Sequence, residues 1–352
     1  MHSNLGTSPA SDGRAIVAQA PCRVDLAGST LDLWPLYLFH PGAVTVNFAV
    51  PIMTTCKITP QAGKAIHLRS LDHKKEERFS DLHALFKARK VKHSLALQLI
   101  KHFRPEEGFL LETNSESPAG AGIAASSALM IATTAALAKL TGKKLSLEQM
   151  RVLAQNVEAQ LIKVPTGCQD YYPALYGGVG AIHLTMEGIV RESLPVPSEQ
   201  IDSQFLLVYT GMPRHSGINN WEVFKSHIAG DKKVVKNFGH ISSISNAMHK
   251  ALLKLDWDEV ARLIREDWKL RRSNYERIST PLIDKLVAVA AKSGGRAAKV
   301  CGAGGGGCVI FMVKQGAKER VIEALRMNGG QVLPSNLCAQ GLTLSAARAA
   351  SA

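Results

Sequence analysis

The feature that most constrains the fold is a glycine-rich loop that runs into an alanine-rich helical pattern, between Ser117 and Leu140. Gly120 and Gly122 permit positive φ and let backbone N–H groups approach a ligand closely. Ser126 and Ser127 lie where a helix is predicted to begin, because the residues after them are mostly strong helix formers. A glycine nest before a helix N-terminus attracts phosphate. A plain turn before a buried helix, with the serines as caps, is the alternative that this segment alone leaves open.

The size and composition of the chain indicate a globular protein of about two domains. It has 352 residues, of which 46% are hydrophobic and 20% are charged. Outside residues 117–140, no apolar run reaches the roughly 18 residues that would span a bilayer, and the first residues lack the apolar core of a signal peptide. We therefore expect a cytoplasmic protein without a membrane partner.

The cysteines and histidines give no metal-binding pattern. Six cysteines without a C-x-x-C pair are expected to be reduced thiols. The twelve histidines are dispersed along the chain and form no H-E-x-x-H motif. We therefore expect no metal site built from histidine or cysteine.

The net charge of +13 indicates an anionic partner, which can be nucleic acid, a membrane surface or a phosphorylated ligand. Aromatic residues make up only 6% of the chain, and no basic segment is interleaved with aromatic side chains that would stack on bases. We therefore expect no nucleic-acid partner. The spacing in the densest basic cluster predicts the solvated face of a surface helix, formed by Lys87, Arg89, Lys90, Lys92 and His93.

Strand and helix patterns interleave without a repeat, which predicts the α+β class. Strands are predicted over 15–27, 43–50, 53–59, 65–68, 108–112, 179–184, 205–209, 297–301 and 308–313, with two short strands at the end of the chain. Helices are predicted over 81–103, 126–140, 146–161, 241–254, 257–273, 281–291 and 317–327. A proline-containing stretch over 187–200 is the predicted boundary between a domain at 14–190 and a domain at 200–348.

Three separated motifs together resemble those of the GHMP kinase superfamily, which includes galactokinase, homoserine kinase, mevalonate kinase and phosphomevalonate kinase. The first runs from Pro21 to Gly28 and is followed by Asp32. The second runs from Pro118 to Ser126, and the third from Lys299 to Cys308. They occur in the family's order and span nearly the whole chain. Each motif is weak or moderate alone, and the combination carries the resemblance.

The resemblance implies a two-domain α+β fold, with an N-terminal domain like domain 2 of ribosomal protein S5 and a C-terminal ferredoxin-like domain. By position, Ser126 and Glu158 match the family's magnesium ligands, and Asp170 matches its catalytic aspartate. The chain has Ala124 and Ala125 where the family has glycine and serine, so Ser127 stays an alternative to Ser126 as the ligand of Mg²⁺. ATP phosphates would bind the loop residues Pro118, Gly120, Ala121, Gly122, Ile123, Ala124, Ala125, Ser126 and Ser127.

Arg23 and Asp32 match the sugar-kinase branch, because mevalonate kinases carry lysine at the first position and lack the aspartate. Two further stretches, 167–178 and 209–216, are similar to those of heptose-phosphate kinases and fucose kinases, although Cys168 stands where those kinases have lysine. The resemblance implies a catalytic role for Arg23 beside the catalytic aspartate. Substrate contacts are expected from Asp32, Gly304, Gly305 and Arg214.

The sequence thus predicts an ATP- and Mg²⁺-dependent kinase that phosphorylates a hydroxyl of a small-molecule sugar or sugar phosphate. A heptose phosphate is the first candidate, and the protein is expected to be a monomer or homodimer. A mevalonate-pathway kinase is the alternative that Arg23 and Asp32 oppose. A non-catalytic nucleotide- or sugar-binding relative is the alternative that Asp170 and Glu158 oppose.

Overall fold

The computed structural model describes residues 14–213 and 218–347. Its strands are β1 (Ala15–Ala27), β2 (Val44–Gln61), β3 (Ile66–Ser70), β4 (Lys75–Phe79), β5 (Gly108–Ser115), β6 (Val179–Leu184), β7 (Ile189–Leu194), β8 (Phe205–Tyr209), β9 (Gly295–Val300), β10 (Cys308–Val313), β11 (Gln331–Leu333) and β12 (Thr343–Ala347). Its α-helices are α1 (Leu82–Lys87), α2 (Ser94–Phe103), α3 (Ala125–Leu140), α4 (Leu147–Ile162), α5 (Tyr171–Tyr176), α6 (Ser198–Gln204), α7 (Ile218–Ile228), α8 (Lys232–Leu253), α9 (Trp257–Asn274), α10 (Pro281–Ser293) and α11 (Lys318–Met327). The predicted α+β class is confirmed.

The first sheet has the strand order β12-β1-β2-β5-β3-β4, and β6 and β7 extend it from β2. Its pairs are antiparallel except for β3 and β5, which run parallel. The strands predicted at 43–50 and 53–59 form one strand, β2. A register shift between Pro21 and Cys22 lets this long strand stay paired with β1, as a β-bulge does.

The second sheet has the order β11-β8-β10-β9, and all of its pairs are antiparallel. Together with the helices between β8 and β9 and between β10 and β11, this is the β-α-β-β-α-β arrangement of ferredoxin-like folds. The expected fold of the C-terminal half is therefore confirmed. Helix α8 packs on β1 and β2 of the first sheet as well as on α9, so it lies between the two sheets.

Local sequence signals located several helix ends correctly. Ser146 and Gln149 form the predicted capping box of α4, and Thr280 caps α10 with Pro281 at its first turn. The helix predicted over 81–103 is instead two helices, α1 and α2. The basic cluster begins at Lys87, the last residue of α1, and its other members lie in the break between the two helices, so the predicted helical face for that cluster was wrong. The break between α1 and α2 is stabilised by a tertiary contact. The Glu77 carboxylate on β4 accepts hydrogen bonds from the backbone N–H groups of Lys92 and His93.

The stretch at 187–200 is not an unstructured linker, because β7 and the start of α6 lie within it. The division into domains at 14–190 and 200–348 stays a prediction. The structure adds that the last strand, β12, pairs with β1 of the first sheet. In the described ranges, 14–213 and 218–347, no helix is long and apolar enough to cross a membrane.

Candidate active site

The glycine-rich loop after β5 has the left-handed backbone that its composition predicts. The φ angles are 65° at Gly120, 80° at Gly122 and 62° at Ala124, which precedes α3. The second glycine run contacts this loop directly, because Cys308 N donates a hydrogen bond of 2.7 Å to Ala121 O. A Cβ on Gly307 would lie 2.7 Å from the same carbonyl oxygen. The two glycine motifs therefore pack together, and a side chain at Gly307 would separate them.

Arg23 and Asp170, which the family resemblance places beside each other, form an ion pair. The Arg23 Nε and Nη2 atoms lie 2.9 and 2.6 Å from Asp170 Oδ1, and Arg23 Nη1 donates to Gly122 O at 2.9 Å. Arg23 is buried, and burial alone would lower its pKa, but the carboxylates of Asp170 and Asp25 hold that pKa above its usual value. A guanidinium is thereby fixed between the glycine loop and a carboxylate.

Ser126, Ser127 and Glu158 also come together. Ser127 is buried and donates to Glu158 Oε2 at 2.9 Å, and Tyr171 donates to the same oxygen. Ser126 is exposed at the first turn of α3. Burial raises the pKa of Glu158, and the hydrogen bonds from Tyr171 and the serines oppose that rise. The three side chains offer only oxygen donors, which hard cations such as Mg²⁺ prefer.

Asp32 is buried beside the Arg23–Asp170 pair. It accepts hydrogen bonds from the backbone N and side-chain Nε2 of Gln169, at 2.9 and 3.2 Å. Burial and the nearby charge of Asp170 raise its pKa to about 7, although the Gln169 N–H opposes the rise. Gly167 makes this packing possible, because a Cβ there would lie 1.9 Å from Asp32 Oδ2.

The glycine loop separates two cavities. The first cavity, of about 200 Å³, is lined by Arg23, Asp32, Glu158 and Asp170. The second cavity, of about 460 Å³, lies on the other side of the loop. Its wall comes from β3, β5, the start of α2 and the basic segment before it, and includes Ser70, Thr113, Lys92 and His93. Both cavities share the loop residues Ser117, Pro118, Gly120, Ala125 and Ser126.

Gly304 and Gly305, which were expected to contact the substrate, are not among the residues that line the first cavity. Gly304 and Gly305 pack on Ile278: Gly305 N donates to Ile278 O at 2.9 Å, and a Cβ on Gly304 would lie 2.5 Å from that oxygen. The residues of the third motif that line the first cavity are Gly302 and Ala303. Arg214 lies outside the described residues.

Sequence reasoning missed a buried charge network behind the first cavity. Lys299 Nζ lies 3.0 Å from Asp25 and 2.7 Å from Asp267, and all three side chains are fully buried. Asp25 also accepts from the backbone N of Gly302 at 3.1 Å, while Arg271 donates to the carbonyl oxygens of Val300 and Gly302. Burial alone would raise the pKa of Asp25, but Lys299, Arg23 and Arg271 hold it well below its usual range.

This network ties the third motif to β1, next to Arg23. The available signal was a lysine three residues before a glycine run and an aspartate two residues after Arg23. The sequence could not show that these residues meet, because their contact joins positions 277 residues apart in the case of Asp25 and Gly302.

Comparisons with known proteins show what this chain is similar to in sequence and in fold. Residues 89–178 match the family described as GHMP kinases N terminal domain, and residues 248–330 match GHMP kinases C terminal. The chain is 24% identical over 336 residues to the D-glycero-alpha-D-manno-heptose 7-phosphate kinase of Campylobacter jejuni, covering 94% of this chain and 98% of that protein. It is 23% identical over 266 residues to the mevalonate kinase of Pyrococcus abyssi, covering 73% and 75% of the two chains.

A solved structure of a D-glycero-D-manno-heptose 1-phosphate kinase from Bacteroides thetaiotaomicron superposes with a TM-score of 0.74 at 22% identity. The superposition covers 94% of this chain and 98% of that one. At this identity the match is informative about the fold alone.

Proposed function

The chain belongs to the GHMP kinase family, and from that premise we propose that it transfers the γ-phosphoryl group of ATP to a hydroxyl of a sugar or sugar phosphate, with Mg²⁺. The observation that carries this proposal is the position of the glycine loop between two cavities. A phosphoryl group held by the loop can face a donor on one side and an acceptor on the other. Phosphoryl transfer depends mainly on such positioning and on charge neutralisation.

We assign the donor nucleotide to the second cavity. Its volume of about 460 Å³ suits a nucleoside, and its wall continues into the loop that would hold the phosphates. Lys92 supplies a positive charge at this wall, in the basic segment between α1 and α2. This assignment gives part of the basic segment a role in binding an anionic ligand.

The carboxylates of the first cavity support its role as the acceptor side. Asp170 accepts both Arg23 hydrogen bonds at Oδ1, so we assign proton acceptance from the substrate hydroxyl to Oδ2. The substrate oxygen forms a bond to the γ-phosphorus as the bond from that phosphorus to ADP breaks. Arg23 holds Asp170 in place and, through Gly122 O, keeps it next to the loop.

Ser126 and Glu158 fit a magnesium ion. Glu158 is a buried carboxylate whose hydrogen-bond partners are hydroxyls, and no cationic side chain in the described ranges pairs with it. A buried carboxylate that keeps its charge is stabilised by a compensating cation. Mg²⁺ would neutralise charge on the transferred phosphate. Ser127 would orient Glu158, which leaves the exposed Ser126 hydroxyl as the ligand.

Asp32 supports a polyol acceptor. Its carboxylate accepts from Gln169 and retains lone pairs for two substrate hydroxyls, as a sugar presents on adjacent carbons. The first acceptor candidate is a heptose phosphate, which the similarity to the Campylobacter jejuni enzyme favours.

One observation favours a second candidate, an unphosphorylated sugar. Among the described residues that line the first cavity, Arg23 is the one cation, and Asp170 and Gly122 already occupy it. A phosphate on the acceptor would need a further cation beyond the described residues that line this cavity, and Arg214 is the residue that the family resemblance assigns to the substrate.

The test is ADP release with ATP and Mg²⁺ against free heptose, heptose 1- and 7-phosphates, fucose, galactose, mevalonate and phosphomevalonate. We expect turnover with one sugar or sugar phosphate. Asp170→Asn should lower its kcat by about 100- to 10,000-fold and leave the KM for ATP nearly unchanged. Turnover with mevalonate alone would overturn the sugar assignment, and an unchanged kcat in Asp170→Asn would remove Asp170 from the reaction. ATP binding without turnover on any acceptor would favour a non-catalytic binding protein.

A further inference from the structure

Away from the glycine loops, three potential metal ligands from three elements converge at one point. They are His183 on β6, Glu192 on β7 and His249 on α8, and their ligand atoms all lie within 4.8 Å of one another. His183 Nε2 and His249 Nε2 lie 2.8 and 2.9 Å from the same oxygen, Glu192 Oε2. The two imidazole rings are nearly perpendicular, with centroids 5.3 Å apart.

The fold brings these side chains together by two separate means. In the β6–β7 hairpin, His183 pairs with Val190 and Glu192 pairs with Ala181, so the histidine and the glutamate are diagonal neighbours on one face. Helix α8 packs on β2, the neighbour of β6 in the sheet, and Asn246, one helical turn before His249, donates to Gly42 O at 2.8 Å just before β2. The positions of the three residues in the sequence do not predict this arrangement, because each residue comes from a different element.

Hydrogen bonds do not satisfy the whole cluster. His249 Nε2 is buried and lies 2.9 Å from Glu192 Oε2, at an angle that does not make a regular hydrogen bond. A buried nitrogen that faces a carboxylate without a regular hydrogen bond calls for an explanation, of which a metal ion bound between the two groups is one. The Glu192 side chain is 39% exposed, so solvent and a hydrated ion can reach the cluster.

We propose that His183, Glu192 and His249 form a binding site for a divalent transition-metal ion of the Zn²⁺ type. Two imidazole nitrogens and one carboxylate oxygen make a three-ligand set that suits Zn²⁺, with a water at the fourth position. Ligand atoms around a tetrahedral Zn²⁺ lie about 3.3 Å apart, so the present 2.8 and 2.9 Å contacts need to open by only a few tenths of an ångström.

The site would link the two halves of the fold. Strands β6 and β7 belong to the first sheet, while α8 packs on that sheet and on α9, which packs on β9 of the second sheet. A bound ion would hold α8 on the hairpin and stabilise the folded state over the unfolded one, because the unfolded chain lacks this ligand arrangement. The site lies apart from the residues assigned to phosphoryl transfer.

The test uses the full chain, without an affinity tag, stripped with EDTA and then equilibrated with Zn²⁺ or Co²⁺. We expect one equivalent of tightly bound Zn²⁺, a visible absorption band of four-coordinate Co²⁺, and a rise in Tm with Zn²⁺. Glu192→Gln and His249→Ala should each lose that equivalent, the cobalt band and the rise in Tm. Glu192→Gln is nearly isosteric, so it keeps the test valid if His249→Ala folds poorly.

Matched controls come from α8 and from the β6–β7 hairpin. His240→Ala removes an exposed histidine from α8, and Glu187→Gln removes an exposed glutamate from the turn between β6 and β7. Both controls should bind the ion as the parent chain does. The proposal is overturned if Glu192→Gln and His249→Ala bind Zn²⁺ with unchanged stoichiometry and Tm rise, or if the parent chain binds none.

Discussion

Asp32 is a carboxylic acid that the fold buries beside a second carboxylate, Asp170. Its pKa rises from 3.8 to about 7, so the folded chain keeps a proton that the unfolded chain releases at lower pH. Between these two values, the free energy of unfolding therefore falls as pH rises, by at most about 1.4 kcal/mol per pH unit. The stabilisation that comes from protonated Asp32 is fully present below the pKa of 3.8 in the unfolded chain, and it is lost as the pH rises through about 7.

This titration predicts the behaviour of Asp32→Asn, which has no proton to lose and can still accept from the Gln169 N–H. The free energy of unfolding of this variant, relative to the parent, should increase from about pH 4 to about pH 7 and then level off. Urea denaturation of both proteins across that range measures the difference. A difference that does not change with pH would show that Asp32 titrates near its ordinary value.

Gly167 controls where Asp32 lies, since a Cβ at this position would come 1.9 Å from Asp32 Oδ2. We expect Gly167→Ala to displace the carboxylate and to raise the acceptor KM by about 10- to 100-fold, as the loss of a hydrogen bond to substrate does. The KM for ATP should change little. Gly239→Ala is the control, because a Cβ there meets no atom within 4 Å. Equal acceptor KM values in the two variants would contradict this role of Gly167.

At the scale of elements, the sequence was most informative where the determinants are local. The caps at Ser146 and Thr280 lie within three residues of the groups they bind, and β6, β8 and β10 were predicted with their observed bounds. The break between α1 and α2 was missed because its cause, the Glu77 carboxylate, comes from a neighbouring strand.

In the candidate site, too, contacts between distant parts of the chain were the hardest to predict. The Arg23–Asp170 contact spans 147 residues, and the sequence suggested it only through the family resemblance. The Lys299 network and the histidine–glutamate cluster had no such guide, so periodicity and spacing could not bring their members together. Chemical type is visible in a sequence, whereas distance between elements is set by tertiary packing.

Lys299 illustrates how one side chain joins several elements. From β9 it contacts Asp25 on β1 and Asp267 on α9, and it donates to Leu26 O at 3.2 Å. Removing one partner of a buried ion cluster leaves uncompensated charge. We expect Lys299→Met to lower the free energy of unfolding by about 3–5 kcal/mol in denaturant titrations. Lys292→Met, which changes an exposed lysine on α10, is the control, and an equal effect of both would contradict the prediction.

At the scale of the whole molecule, the last described residues pack against the sheet that the first described residues form. After the second sheet is complete, the chain returns to the first sheet, where Cys338 N donates to Ala49 O at 2.9 Å and Gly178 N donates to Cys338 O at 2.8 Å. Strand β12 then pairs with β1 from Ala15 to Gln19. The two ends of the described chain thus stabilise the same sheet edge, and we expect the first sheet to depend on residues far beyond the predicted domain boundary.

Deleting residues 342–352 tests this dependence, because it removes β12 and leaves β1 as an exposed edge. The lost ladder joins five residue pairs, and at about 1 kcal/mol per net hydrogen bond we expect a loss of roughly 3–5 kcal/mol. An uncovered edge also pairs readily with other chains, so the deletion should promote association in light scattering. Deleting only 348–352 keeps β12 and should change neither property. Equal unfolding midpoints for the two deletions would mean that the first sheet is stable without its last strand, as an independent domain at 14–190 requires.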